Sequence, residues 1–179
     1  MKSAHPTTTL QRYFSGIAEY VFQSELGLAD PPLTDYVSGL LMRFVRTDAI
    51  HKVRNLTGRP ITEVAEMLVE ANARVGTARR AVHRHIGDFT LFWAGVYPEA
   101  LREMQSSMKK DHFIDYCSQG KRAYFIASTI ETDEEAAAPR SVLERLSEQF
   151  ELCAYGLREV RREWERRDDE DILTPLLID

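Results

Sequence analysis

The stretch AVHRHIGDFTLFWAG, residues 81 to 95, places two histidines and an aspartate beside three large aromatic residues. Such side chains can ligate a metal ion, exchange a proton or hold a polar ligand. Two histidines on one helix reach the same metal when they lie four residues apart. His83 and His85 are two apart, so at 100° per residue they point about 160° away from each other. The spacing therefore predicts that they form no joint metal site.

Asp88 follows His85 by three residues, a spacing at which side chains on a helix can meet. Two interpretations stay open. In the first, His85 is a hydrogen-bonded histidine at the edge of the core and His83 faces solvent. In the second, His85 lines a pocket between helices, where ligand sites commonly form. The candidate ligand-binding residues are His85, Asp88, Phe89, Trp93 and Tyr124.

Gly87 and Gly95 lie within the same stretch, although each weakens a helix by about 1 kcal/mol relative to alanine. We expect them to allow close approach of neighbouring helices, with a pocket wall as the alternative. Leu91 and Phe92 extend the apolar character around most of this helix, which predicts a central, buried position.

The remaining polar motifs favour structural roles. Glu63, Glu66 and Glu70 share one helical face, but the sequence contains no E-x-x-H pair of the kind that di-iron bundles use. Asp111 is expected to cap the helix that follows it. Phosphate-loop, dinucleotide-binding, nucleophile-elbow and zinc-type patterns are absent. We therefore predict no catalytic residue, no metal and no cofactor, and an enzyme is the less favoured class.

Four arginines surround the start of the central helix, at positions 74, 79, 80 and 84. They could bind a phosphate or an acidic partner, or form a solvated face. The net charge of −5 and the pI near 5.6 argue against a general nucleic-acid binder, which usually carries a basic face.

Apolar residues recur every three or four positions along most of the chain, which predicts an all-α, single-domain bundle of six or seven helices. Asp30 and Pro31 are a typical helix start. Residues 132–140 are the expected linker before a long C-terminal helix, and residues 168–179 are an expected tail. A heptad seam follows the linker. Its members are Leu143, Leu146, Phe150, Leu157, Val160 and Trp164.

The N-terminus lacks the apolar stretch of a signal peptide, and no run approaches 18 apolar residues. We therefore expect a cytoplasmic protein without a membrane partner. The absence of a catalytic signature, together with the heptad-patterned C-terminal helix, predicts a non-enzymatic protein that acts through protein–protein contact, including contact with itself as a homo-oligomer. The seam residues are expected to form either an intramolecular seam or the subunit contact. The alternative is a small-molecule- or metal-binding bundle, with an enzyme included in this class, whose pocket lies near His85.

Overall fold

A computed structural model describes residues 9–45, 53–54, 57–133 and 137–173. Within these ranges the chain is all-helical and no β-strand is present, which confirms the predicted fold class. The eight α-helices are α1 Thr9–Glu19, α2 Pro31–Val45, α3 Val64–Ala73, α4 Gly76–Gly95, α5 Leu101–Met104, α6 Tyr116–Thr129, α7 Arg140–Glu148 and α8 Phe150–Leu173.

The count exceeds the predicted six or seven for two local reasons. The helix α5 is a single turn, and the expected C-terminal helix is interrupted at Gln149, which divides it into α7 and α8. The predicted start of α2 is confirmed: the Leu33 backbone N–H donates to Asp30 Oδ1 at 3.2 Å, and Pro31 is the first residue of the helix.

Helix α4 lies at the centre of the bundle and packs against α2, α3, α6 and α8. Thirteen of its twenty residues are buried, which confirms the predicted central position. Gly95 allows α8 to approach, because a β-carbon there would lie 2.9 Å from Leu157 Cβ and 3.0 Å from the Ala154 carbonyl oxygen. Gly95, and Gly87 against the Tyr124 ring, thus allow the close helix packing that was expected of them.

The predicted seam lies inside the chain. Its residues on α7 and the first part of α8 are fully or almost fully buried: Leu143, Leu146, Phe150, Leu157 and Val160. Trp164 is partly buried and meets the ring of Phe14 edge-on, with centroids 5.1 Å apart. The seam therefore joins α7 and α8 to the rest of this bundle, so it is the intramolecular alternative of the two that the sequence left open.

The ends of the C-terminal region differ from expectation. Arg140, placed in the linker, is the first residue of α7, and Ala138 is fully buried. The predicted tail begins as a continuation of α8 through Leu173, while residues 174–179 lie outside the described part of the chain. None of the described helices combines the length and the apolar character needed to cross a membrane.

Candidate functional site

The two histidines of α4 lie on different sides of one uninterrupted helix, as their spacing predicts. His85 is buried between the rings of Phe44 and Phe89, with ring centroids 6.0 Å away in each case. His83 faces the junction of α3 and α6. The two imidazoles therefore belong to separate environments.

Asp88 is the centre of a buried polar cluster whose partners come from other helices and from the preceding turn of α4. Tyr36 and Tyr124 donate their hydroxyl protons to Asp88 Oδ1 at 2.6 and 2.7 Å. Arg43 donates to Oδ2 at 3.1 Å, and the Arg84 Nε lies 4.0 Å from the same oxygen. His85, which the spacing allowed as a partner, packs against the rings of Phe44 and Phe89. We call these five residues, Tyr36, Arg43, Arg84, Asp88 and Tyr124, the Asp88 cluster.

The electrostatics of the Asp88 cluster keep both tyrosines protonated. Burial raises the pKa of Tyr36 and of Tyr124 above the ordinary value, and the negative charge of Asp88 raises both further. The guanidinium groups of Arg43 and Arg84 lie 5.2 and 5.4 Å from the centre of the Tyr36 ring, within the range of cation–π attraction. The cluster is thus internally satisfied, and it joins α2, α4 and α6.

Phe89 and Trp93, the other two predicted ligand-binding residues of α4, line an open cleft of about 300 Å³. We call it the Trp93 cleft. Its lining residues are Thr62, Glu63, Phe89, Trp93, Ala100, Glu103, Met104, Lys109, Asp111 and Tyr116. Of the five predicted ligand-binding residues, the structure therefore brings two to a cleft and buries His85, Asp88 and Tyr124 in the core.

Asp111, the most buried carboxylate of the Trp93 cleft, already accepts hydrogen bonds from other groups of the protein. Asp111 accepts hydrogen bonds from the backbone N–H groups of Val64 and Ala65 at 2.9 and 2.8 Å, and from the Tyr116 hydroxyl at 2.6 Å. The prediction that Asp111 caps its own helix is wrong, because it caps α3 from 47 residues away. Asp115 caps α6 through the Ser118 backbone N–H.

A second cleft, of about 190 Å³, lies between α3, α4 and α6. We call it the His83 cleft. Its lining residues are Leu68, Asn72, Arg79, His83, Gln119, Arg122, Ala123 and Ile126. His83 is only 3% exposed, so the prediction that it faces solvent is wrong. The side chain of His83 is covered because it lies where α4 packs against α3 and α6.

The His83 cleft gathers polar atoms that the chain leaves without partners. Both ring nitrogens of His83, Arg79 Nε and Gln119 Oε1 are shut off from solvent and meet no hydrogen-bond partner among the described residues. Buried polar atoms are nearly always hydrogen-bonded, and leaving one unpaired costs about 1–3 kcal/mol. Four such atoms at one cleft indicate a partner that the chain itself does not supply.

The charge around the His83 cleft is positive. Burial lowers the pKa of His83 to about 4, and the positive charges of Arg79 and Arg122 lower it in the same direction. The imidazole is therefore neutral at pH 7. The lining residues include no carboxylate, so nothing in the cleft wall balances the two guanidinium groups.

The other three arginines at the start of α4 have structural partners. Arg74 donates to the Arg54 carbonyl and to Glu70, and Arg84 belongs to the Asp88 cluster. Arg80 is buried and donates to the carbonyl oxygens of Ala127 and Ala138 at 3.1 and 2.7 Å. Of this basic group, Arg79 alone lines the His83 cleft.

Sequence reasoning missed the residues that α6 contributes to this cleft. Arg79 and His83 lie four residues apart, and Gln119 and Arg122 lie three apart, so each pair shares one helical face. These spacings were the sequence signal that could have identified one polar face on each helix. Nothing in the sequence shows that the two faces meet, because the pairing of α4 with α6 is a tertiary property.

The described residues contain no group of three or more His, Cys, Asp or Glu side chains placed to hold a metal ion. No protein-family model, no curated protein and no solved structure matches the chain.

Proposed function

We propose that the protein is a helical small-molecule-binding protein and that its ligand occupies the His83 cleft. The observation that carries the proposal is the set of four buried polar atoms without partners around one cavity: two of His83, one of Arg79 and one of Gln119. A ligand with complementary polar atoms would remove this deficit.

Binding is favoured over catalysis by the composition of the cleft. Its lining residues include no Ser, Thr, Cys, Asp or Glu that could act as a nucleophile or as a second acid or base beside His83. A single neutral imidazole beside two arginines provides hydrogen bonds and positive charge for holding a ligand, but no second group for catalysis.

The cleft is also preferred to the Asp88 cluster, whose carboxylate already receives two hydroxyl donors and two guanidinium groups. It is preferred to the protein–protein hypothesis as well. The seam residues that could have formed a subunit contact are packed within the chain, and the His83 cleft offers a specific set of unpaired polar atoms instead.

The proposal is tested by titrating a library of small polar fragments into ¹⁵N-labelled protein. We expect the compounds that bind to shift the backbone amide signals of residues 79–83 and 119–123 together. Absence of any such compound, or shifts that cluster elsewhere, would contradict the proposal.

A matched pair of variants checks the location. Ile126 lies at the cleft wall, so Ile126→Trp would fill part of the cavity and should abolish the shifts. The neighbouring Phe125 is 59% exposed and does not line the cleft, so Phe125→Trp should leave binding unchanged. Equal effects of the two substitutions would place the ligand elsewhere.

A further inference from the structure

We infer that the His83 cleft selects a small oxyanion, a carboxylate or phosphate-type group, which lies between Arg79 and Arg122 and accepts a hydrogen bond from His83. The inference rests on the proposed function and names the ligand class of the same site.

The charge of the cleft is the first argument. Arg79 reaches it from α4 and Arg122 from α6, and no carboxylate is among the residues that line the cleft. The chain as a whole carries a net charge of −5, so an uncompensated pair of guanidinium groups is a local exception. Arginine is well suited to carboxylate and phosphate groups, because its planar fork of N–H donors matches their oxygens.

The available hydrogen-bond donors are the second argument. Arg79 Nε is a buried N–H without an acceptor, and a neutral His83 also carries one N–H. Gln119 presents its oxygen in the cleft, but a half-turn of the amide exchanges oxygen for NH₂ at no cost in shape. Water could satisfy some of these atoms, but it would not balance the two positive charges.

The size of the cleft is the third argument. Its volume is about 190 Å³, whereas pockets for drug-sized ligands have volumes of at least about 300 Å³. Leu68, Ala123 and Ile126 add apolar wall area, which suits a short hydrocarbon portion beside the charged group. A small carboxylate or an inorganic oxyanion fits these limits.

Binding of the anion and protonation of His83 should be coupled at this site. The charged groups that face His83 are Arg79 on its own helix and Arg122 on α6, while α3 contributes only Leu68 and Asn72, which do not ionise. An anion between the arginines offsets their charge and favours the imidazolium form. Anion binding therefore raises the pKa of His83 from about 4, and affinity should increase as the pH falls towards 4.

The ligand class is tested by titrating acetate, inorganic phosphate and sulfate into the full chain at constant ionic strength, with acetamide and ethylammonium as neutral and cationic probes. We expect only the oxyanions to shift the amide signals of residues 79–83 and 119–123. A preference for phosphate and sulfate over acetate would identify a phosphate-type site, and the reverse order a carboxylate site.

Arg122→Gln and Arg102→Gln form the matched pair for this test, since both side chains are exposed but only Arg122 lines the cleft. We expect Arg122→Gln to weaken oxyanion binding about tenfold or more, as the loss of a charge-assisted hydrogen bond does. Arg102→Gln should have no effect. Equal weakening by both would show a nonspecific charge effect and overturn the inference.

Sulfate does not titrate between pH 5 and 8, so it isolates the contribution of His83. Its affinity should rise as the pH falls, by at most about tenfold per pH unit for one proton, and should become flat in His83→Gln. The same rise in His83→Gln would overturn the role of His83.

The two proposals fail in different ways. Binding of acetamide or ethylammonium in the cleft without oxyanion binding would overturn the ligand class and leave the proposed function intact. If no probe of any charge, and no fragment, shifts these signals, both proposals fall.

Discussion

Tyr124 lies against the backbone of Gly87, so that a β-carbon on Gly87 would meet the ring at 2.5 Å from Cε1. This contact brings α6 close enough to α4 for the Tyr124 hydroxyl to reach Asp88. The same approach of α4 and α6 forms one wall of the His83 cleft. A residue without a side chain therefore sets the geometry of both polar sites.

Gly87→Ala should destabilise the protein. Overpacking a well-filled core costs roughly 1–3 kcal/mol, and the gain in helix propensity returns only about 1 kcal/mol. Tyr124 is fully buried and cannot move away, so we expect a net loss near 2 kcal/mol in urea unfolding. Gly16→Ala is the control, because a β-carbon there meets nothing within 4 Å. It should be neutral or stabilising, and similar losses in both variants would contradict the packing interpretation.

Asp88→Asn should be strongly destabilising. The substitution removes the negative charge that balances Arg84 and Arg43, and breaking a buried ion pair costs about 3–5 kcal/mol. Because Arg43 is about one-third exposed, we expect a value near the lower limit, about 3 kcal/mol. Glu144→Gln breaks the exposed pair with Arg140 and should cost less than about 1 kcal/mol. Unfolding midpoints in urea compare the two, and equal losses would show that the Asp88 cluster contributes no more than a surface pair.

Stability should fall at alkaline pH because of the buried tyrosines. The pKa of Tyr36 and Tyr124 is raised in the folded state, by burial first and by Asp88 second. The two tyrosines therefore contribute fully to the free energy of unfolding below their unfolded-state pKa near 10. This contribution is lost as the pH rises through their folded-state pKa. Above pH 10 the free energy of unfolding should fall by up to about 1.4 kcal/mol per pH unit for each tyrosine. Tyr124→Phe should reduce this slope, and an unchanged slope would refute the assignment.

Asp111→Ala should cost more than an ordinary helix cap. The substitution removes the acceptor for two backbone N–H groups of α3 and leaves the buried Tyr116 hydroxyl without its partner. We expect about 3 kcal/mol, the sum of a lost cap and an unsatisfied buried hydroxyl. Asp115→Ala removes an exposed cap of α6 and should cost about 1 kcal/mol. Thermal unfolding separates the two, and a loss at Asp111 no larger than at Asp115 would show that the contact between α3 and the 110–116 segment adds no stability.

Local patterns predicted the elements well because helices are stabilised by contacts within three or four residues. The start of α2 at Asp30 and Pro31, the central position of α4 and the opposite directions of His83 and His85 all follow from such spacing. The break at Gln149 was missed, since the apolar seam continues in register across it from α7 into α8.

The candidate site was predicted less well, because its partners are distant in the chain. The spacing allowed Asp88 to meet its neighbour His85, but Asp88 meets Tyr36 and Tyr124, 52 and 36 residues away. Asp111 caps a helix 47 residues before it. A polar side chain can reach any group that the packing brings near, so its nearest sequence neighbour is a weak guide to its partner.

The amino-acid sequence by itself determined that this chain is helical, that α4 is its central helix and that its two histidines face apart, since these depend on a period of 3.6 residues and on apolar spacing. Only the tertiary structure decided which of the two imidazoles is buried without a partner and which arginines remain unpaired beside it. The reason is that burial and pairing are set by which helical faces meet, and the approach of α6 to α4 at Gly87 creates a positively charged cleft that no local pattern encodes.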